Sequence, residues 1–196
     1  MKHSFKLILF LSILIFTACT RTEPTILPAN HLIDGKYINI HSPNSSGWSK
    51  MKHTNSEVIF AKKGKKYNES YIARVVFFPL ESTKNKNHFL KLIKRQASKS
   101  TNEKRFIQLK SNFKLSTQRN YHCVIAKQLF RDTMATTANG NKEDLFLQVK
   151  SAYCRDPKRK EAGFMIGYSF RGESIHSNFD FEANSFIDGV RFSKYN

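Results

Sequence analysis

The sequence predicts an α+β domain: an antiparallel sheet of about six to eight strands carrying two helices. Two observations lead there. Short runs rich in β-branched and aromatic residues recur along the chain, separated by turn residues, which is the pattern of strands. Two other runs place apolar residues at i, i+3 and i+4, the stripe of an amphipathic helix. Polar turns join most neighbouring strand runs, which suits antiparallel pairing.

The first segment, Met1–Ala18, stands apart from that domain. Lys2 and Lys6 precede Leu7–Phe16, which is apolar except for Ser12. A positive start and a short apolar run are the form of a secretory signal. The run is too short to span a bilayer, whose hydrocarbon core needs about 20 helical residues. It ends in Phe16-Thr17-Ala18-Cys19. This resembles the lipobox of bacterial lipoproteins, with Phe16 where that family usually has Leu. The resemblance implies that residues 1–18 are removed, that the Cys19 thiol takes a diacylglycerol, and that the new amino group is acylated by a fatty acid such as palmitate. Two or more acyl chains give stable anchoring, at about 0.8 kcal/mol per buried CH₂. Thr20, where an Asp would act as a retention signal, implies by resemblance to Gram-negative lipoproteins the periplasmic face of the outer membrane.

Residues 19–33 are expected to be the lipidated N-terminus and a tether, because they hold two prolines and little periodicity. The domain is expected over 34–196. Tyr37–Ile40 alternates and reads as its first strand. Asn44–Trp48 reads as a turn that ends in the chain's single tryptophan. Glu57–Lys62 is a second strand, and Lys62–Lys66 a basic turn around Gly64. Tyr71–Phe78 is a third strand, stopped by Pro79. Phe89, Leu92, Ile93 and Ala97 then mark a helix, with Asn87 as its cap. Lys91, Lys94, Arg95 and Lys99 fill its outer face. Arg105–Leu115, Tyr121–Phe130, Leu145–Tyr153 and Phe164–Phe170 read as four more strands. Asp132–Asp144 is polar and aperiodic and is expected to be a mobile hairpin loop. Asp156–Lys160 is a second basic turn. Ala183, Phe186, Ile187 and Val190 mark a second helix within Phe179–Val190. Asp180 and Glu182 suit the positive end of its dipole, and Gly189 ends it. Val190–Phe192 is a short closing strand.

This order of elements, with YINIHSPNSSGW near the start and FDFEANSFIDGVRF at the end, resembles the PsbP-like fold. It is also similar to uncharacterised gammaproteobacterial lipoproteins. The resemblance covers residues 36–193 as a pattern of elements and implies a binding or assembly role. It carries no catalytic residue.

The charge is +18 and falls to +16 when the two signal lysines are removed. Such a chain is drawn to anionic surfaces. Export argues against nucleic acid and favours anionic envelope lipid or polysaccharide, or an acidic protein. Candidate patches are Lys62, Lys63, Lys65 and Lys66; Lys91, Lys94 and Arg95; and Lys158, Arg159 and Lys160. The competing explanation is a merely solvated surface on a lysine-rich chain. Asn44-Ser45-Ser46 and Asn68-Glu69-Ser70 match the glycosylation sequon and are read as ordinary turns.

Of three cysteines, Cys19 is assigned to lipid, which leaves Cys123 and Cys154. In an oxidising compartment this even pair is a disulfide candidate. Partner numbers in an antiparallel hairpin sum to a constant. A loop centred near residue 138 puts that constant near 276, and Cys123 with Cys154 gives 277. Two buried free thiols are the alternative.

Chemistry beyond binding has little support. The histidines of the mature chain are scattered, and no HxH, HExxH, GxSxG or glycine-rich phosphate loop occurs. No metal, cofactor or catalytic residue is assigned. The expectation is a lipid-anchored envelope protein that binds and does not catalyse. The rival readings are an inhibitor or immunity lipoprotein against an envelope-targeting enzyme, and an envelope hydrolase.

Overall fold

A computed structural model of the chain describes residues 24–34, 38–99, 102–119, 121–136 and 140–192. The signal, the lipobox and Cys19 lie outside the described residues. The elements are β1 Ile26–Leu27, β2 Leu32–Asp34, β3 Ile38–His41, β4 Trp48–His53, β5 Glu57–Lys63, β6 Ser70–Pro79, α1 Lys86–Lys99, β7 Phe106–Leu115, β8 Cys123–Thr136, β9 Lys142–Arg155, β10 Ala162–Gly172, α2 Phe179–Gly189 and β11 Arg191–Phe192. The architecture is α+β. Eight antiparallel strands pair in the order β1-β4-β5-β6-β10-β9-β8-β7, and a small sheet has the order β11-β3-β2.

The large sheet buries both faces, one more fully than the other. On the first face Val58, Phe60, Ala73, Val75, Phe164, Ile166, Tyr168 and Phe170 pack under α2 and against Ile33 and Ile40 of the small sheet. Burying one such side chain contributes about 1.5–3 kcal/mol. On the opposite face α1 sets Phe89, Leu92 and Ile93 against Val124 and Leu80. Strand residues alternate between faces, which is why Cys123 belongs to the first core and its neighbour Val124 to the second.

The strand and helix expectations hold in kind, with four corrections. The cap of α1 is Asn85 and not Asn87: Asn85 Oδ1 accepts the His88 N–H at 2.9 Å, and Asn87 already lies inside the helix. Trp48–His53 is a strand, although its run WSKMKH is mostly exposed and lysine-rich, because it pairs with β1 on one side and β5 on the other. The described part of the expected tether contains β1 and β2, and Leu27 and Ile33 reach the core from it. Finally, the expected loop at 132–144 is largely strand. After a bulge beyond Asp132, Ala135 pairs with Glu143 and Thr136 with Lys142. Its polarity misleads because Asp132 is buried as an ion pair. Arg105 grips Asp132 through Nε–Oδ1 at 2.8 Å and Nη2–Oδ2 at 2.7 Å, and Arg171 lies 3.5 Å away.

The cysteine expectation is met directly. Cys123 pairs with Cys154 across the β8–β9 ladder, and the two form a disulfide with Cα atoms 4.1 Å apart.

Candidate functional site

The predicted basic patches do not come together. Lys62–Lys66 turn from β5 into β6 beside Ser70, whereas Lys158–Lys160 sit beside Ala162, which pairs with Pro79 at the other end of β6. A ten-residue strand separates the two turns by roughly 30 Å. The first turn is a tight structural one: Gly64 N–H donates to Glu69 O at 2.8 Å, and a Cβ on Gly64 would stand 2.1 Å from that of Glu69. Lys62 is committed locally, donating to Ser45 Oγ at 3.1 Å and lying 6.0 Å from the Tyr71 ring centre. Lys63, Lys65 and Lys66 are exposed around the same turn. The second turn is nearer the helix patch. Arg155 donates to Glu81 O at 2.7 Å and also to Lys160 O, so the 158–160 turn and the segment leading to α1 share a support. Arg95 of α1 pairs with Glu81 at 3.4 Å, and Arg159 pairs with Asp156 at 2.8 Å. Lys91, Lys94 and Lys158 are exposed.

A different set of lysines forms a site. Between α2 and the outer strands of the sheet lies a groove of about 940 Å³. Its floor is set by register. Lys110, Leu129 and Gln148 form one row across β7, β8 and β9; Asn112, Lys127 and Lys150 form the next; Lys114 and Ile125 begin the third. Period-two alternation puts all of them on the face under α2. Phe179, Asp180, Asn184, Ile187 and Asp188 make the helix wall.

The middle row holds the main electrostatic feature. Lys127 and Lys150 stand directly opposite each other on the ladder. Like charges in that relation destabilise a sheet. Asp180, in the first turn of α2, relieves them: its Oδ2 accepts from Lys127 Nζ, and its Oδ1 lies 3.5 Å from Lys150 Nζ. Partial burial alone would raise the Asp180 pKa, but the hydrogen bond and charge of Lys127, with Lys150, hold its carboxyl below the usual carboxylate range. Lys110 and Lys114 have no acidic partner among the described residues. The groove therefore offers four ammonium groups against Asp180 and Asp188.

A second acid of α2 fixes the helix. Glu182 accepts from the Tyr168 hydroxyl at 2.8 Å and lies 3.1 Å from His176 Nε2. Tyr168 pairs with Lys150 on the ladder, so Asp180 and Glu182 dock the helix on one row of the sheet. Burial, with the Glu182 carboxylate beside it, pushes the Tyr168 phenol far above its ordinary value. The Tyr168 hydroxyl stays neutral and acts as a fastener.

The sequence reading missed Lys110, Lys114, Lys127 and Lys150. In the sequence only Lys110 and Lys114 carry a signal, their even spacing on one strand. Lys127 and Lys150 join them only through the pairing of strands far apart in the chain. Among the described residues no group of three or more His, Cys, Asp or Glu could hold a metal ion, and no helix is long and apolar enough to cross a membrane. No protein-family model matches the chain, and no curated protein matches it.

Proposed function

We propose that this chain is a lipid-anchored bacterial envelope protein whose domain binds an anionic ligand in the groove under α2, without catalysis. The lipid anchor at Cys19 rests on the lipobox resemblance. The order of elements supports keeping the PsbP-like reading, with its binding or assembly role, as part of the proposal. The binding role rests on one observation: two lysines face each other across a ladder beside two more that meet no acid among the described residues. A sheet gains nothing in stability from that arrangement, whereas an incoming anion gains several donors at fixed spacing.

Two experiments test the two halves. The intact mass of protein extracted from membranes should correspond to a chain starting at Cys19 plus acyl groups, and should rise by two hydrogens on reduction. An unmodified chain sinks the anchor. Titration with tripolyphosphate, followed by amide NMR, should move signals of β7, β8 and the start of α2. Shifts spread evenly over every exposed lysine would reduce the groove to ordinary surface charge.

A further inference from the structure

The groove's geometry narrows its ligand. Lys110 and Lys114 lie four residues apart on one face of β7, which separates their backbones by about 14 Å. Asn112 stands midway between them, and Lys127 lies directly across from Asn112. With both stems upright from the strand, a single phosphate cannot touch both outer lysines. A chain with repeated anionic groups can, running along β7 and meeting Lys127 from the side.

The neutral lining adds a second requirement. Asn112, Asn184 and Gln118 present amides, each both donor and acceptor, beside the apolar surfaces of Ile125 and Ile175. Amides of that kind suit hydroxyl-bearing ligands, and the apolar side chains suit the flat faces of sugar rings.

The position of the groove in the sheet adds a third. The strand nearest the proposed anchor is β1, at one edge, and β7 is the other edge. Five to seven strand spacings, about 24–34 Å, separate β1 from the groove strands. The seven residues from Cys19 to Ile26 can reach at most about 25 Å. In a domain hung from its β1 edge, the groove strands are those farthest along the sheet from the anchor.

We propose that the groove takes an acidic glycan, a saccharide chain bearing repeated carboxylate or phosphate groups, laid along β7 between Lys110 and Lys114. This rests on the anion-binding reading above and adds the identity of the ligand. The glycan's charges pair with Lys110, Lys114 and Lys127, and its hydroxyls with Asn112 and Asn184.

The test is calorimetric titration of the whole protein in neutral detergent. The probes are a short oligogalacturonate, a neutral malto-oligosaccharide of the same length, tripolyphosphate, and glycerophosphoglycerol, a soluble anionic phospholipid headgroup without acyl chains. The oligogalacturonate should bind about tenfold or more tighter than tripolyphosphate, a difference of about 1.4 kcal/mol. The neutral sugar and the glycerophosphoglycerol should bind much more weakly. K110E/K114E, and the milder K110Q/K114Q, should each weaken the oligogalacturonate by about tenfold or more. K84E/K86E, with the same charge change on the far face, should leave it unchanged. Equal affinity for oligogalacturonate and tripolyphosphate would overturn the glycan and leave an anion site standing. Preference for the glycerophosphoglycerol would replace the glycan with a lipid headgroup. Failure of every anion to bind would overturn both readings. An equal loss in K84E/K86E would show that net charge alone, not the groove, does the binding.

Discussion

Asp180 is the groove's internal competitor, so replacing it should strengthen ligand binding while weakening the fold. In Asp180→Asn the side chain keeps its size, but Lys127 and Lys150 lose the carboxylate between them. Asp180 and Lys127 are each about half exposed, at 48% and 54% of the side chain, so the ion pairs are screened by water. Pairs of this kind contribute up to about 1 kcal/mol each. Loss of the acid from the first turn of α2 costs about 0.3–1 kcal/mol more through the helix dipole. The stability deficit is then about 1–2 kcal/mol, which a urea titration resolves as a lower midpoint at unchanged slope. The gain in binding comes from removing one negative charge close to the incoming anion. At contact distance and with the screening of bulk water, as suits a half-exposed group, that repulsion amounts to about 1 kcal/mol, or roughly fivefold in affinity for tripolyphosphate. Calorimetry on wild type and Asp180→Asn at the same salt measures it, and raising the salt should shrink the difference. If Asp180→Asn binds the anion no better than wild type, Lys127 and Lys150 are structural cations and the groove assignment fails with them.

Two further outcomes follow from the fold. Asp132 is fully buried; burial alone would raise its pKa, but Arg105, helped by the Met134 amide and Arg171, holds it below the ordinary carboxylate range. Its folded pKa is therefore lower than its unfolded one near ~3.9, so its contribution is complete above the unfolded value and drains away as pH falls from there through the folded one. Asp132→Asn should cost about 2–4 kcal/mol at pH 7, and the gap to wild type should narrow toward pH 3; a gap that stays constant with pH would refute the ion-pair account. Reducing the Cys123–Cys154 bridge, which spans 31 residues, should remove about 3–4 kcal/mol by loop entropy, read as a lower urea midpoint with dithiothreitol; an unmoved midpoint would show that the bridge adds nothing to the fold.

Legibility in the sequence followed the strength of local pattern. Tyr71–Phe78 and Phe164–Phe170 were readable because dense β-branched and aromatic runs admit little else, and each lies within the β6 or β10 strand observed. The cysteine pairing was readable because hairpin register is arithmetic, and Cys123 does face Cys154. Trp48–His53 was not, because an edge-side strand with four exposed residues has no apolar period to betray it. Asp132–Asp144 failed for a related reason: a polar residue buried by a partner 27 positions away looks local and solvated in the sequence. The groove was hidden in the same way. Its lysines are spread over three strands with no two adjacent in sequence, and only the pairing of β7 with β8 and β8 with β9 makes them a group.

That last point separates the groove from the rest of a very basic surface. A charge of +18 guarantees lysines everywhere, and a turn such as Lys62–Lys66 gathers several at little cost. Turn lysines crowd a single exposed bend, so any compact polyanion suits them equally. Lysines on a ladder have backbones fixed by the hydrogen bonds of three strands, which sets their separation before a ligand arrives. Some cations of the described surface meet an acid of their own, as in Lys52–Glu57, Arg95–Glu81 and Arg159–Asp156. In the groove Asp180 is shared by two lysines while Lys110 and Lys114 meet no acid among the described residues. Fixed spacing combined with an incomplete set of counter-charges is what a binding site for a multiply charged ligand requires. Salt should then separate the two kinds of surface: attraction to the turns should fade as charges are screened, whereas groove binding should keep a residue of affinity from the amides and apolar contacts that salt does not touch.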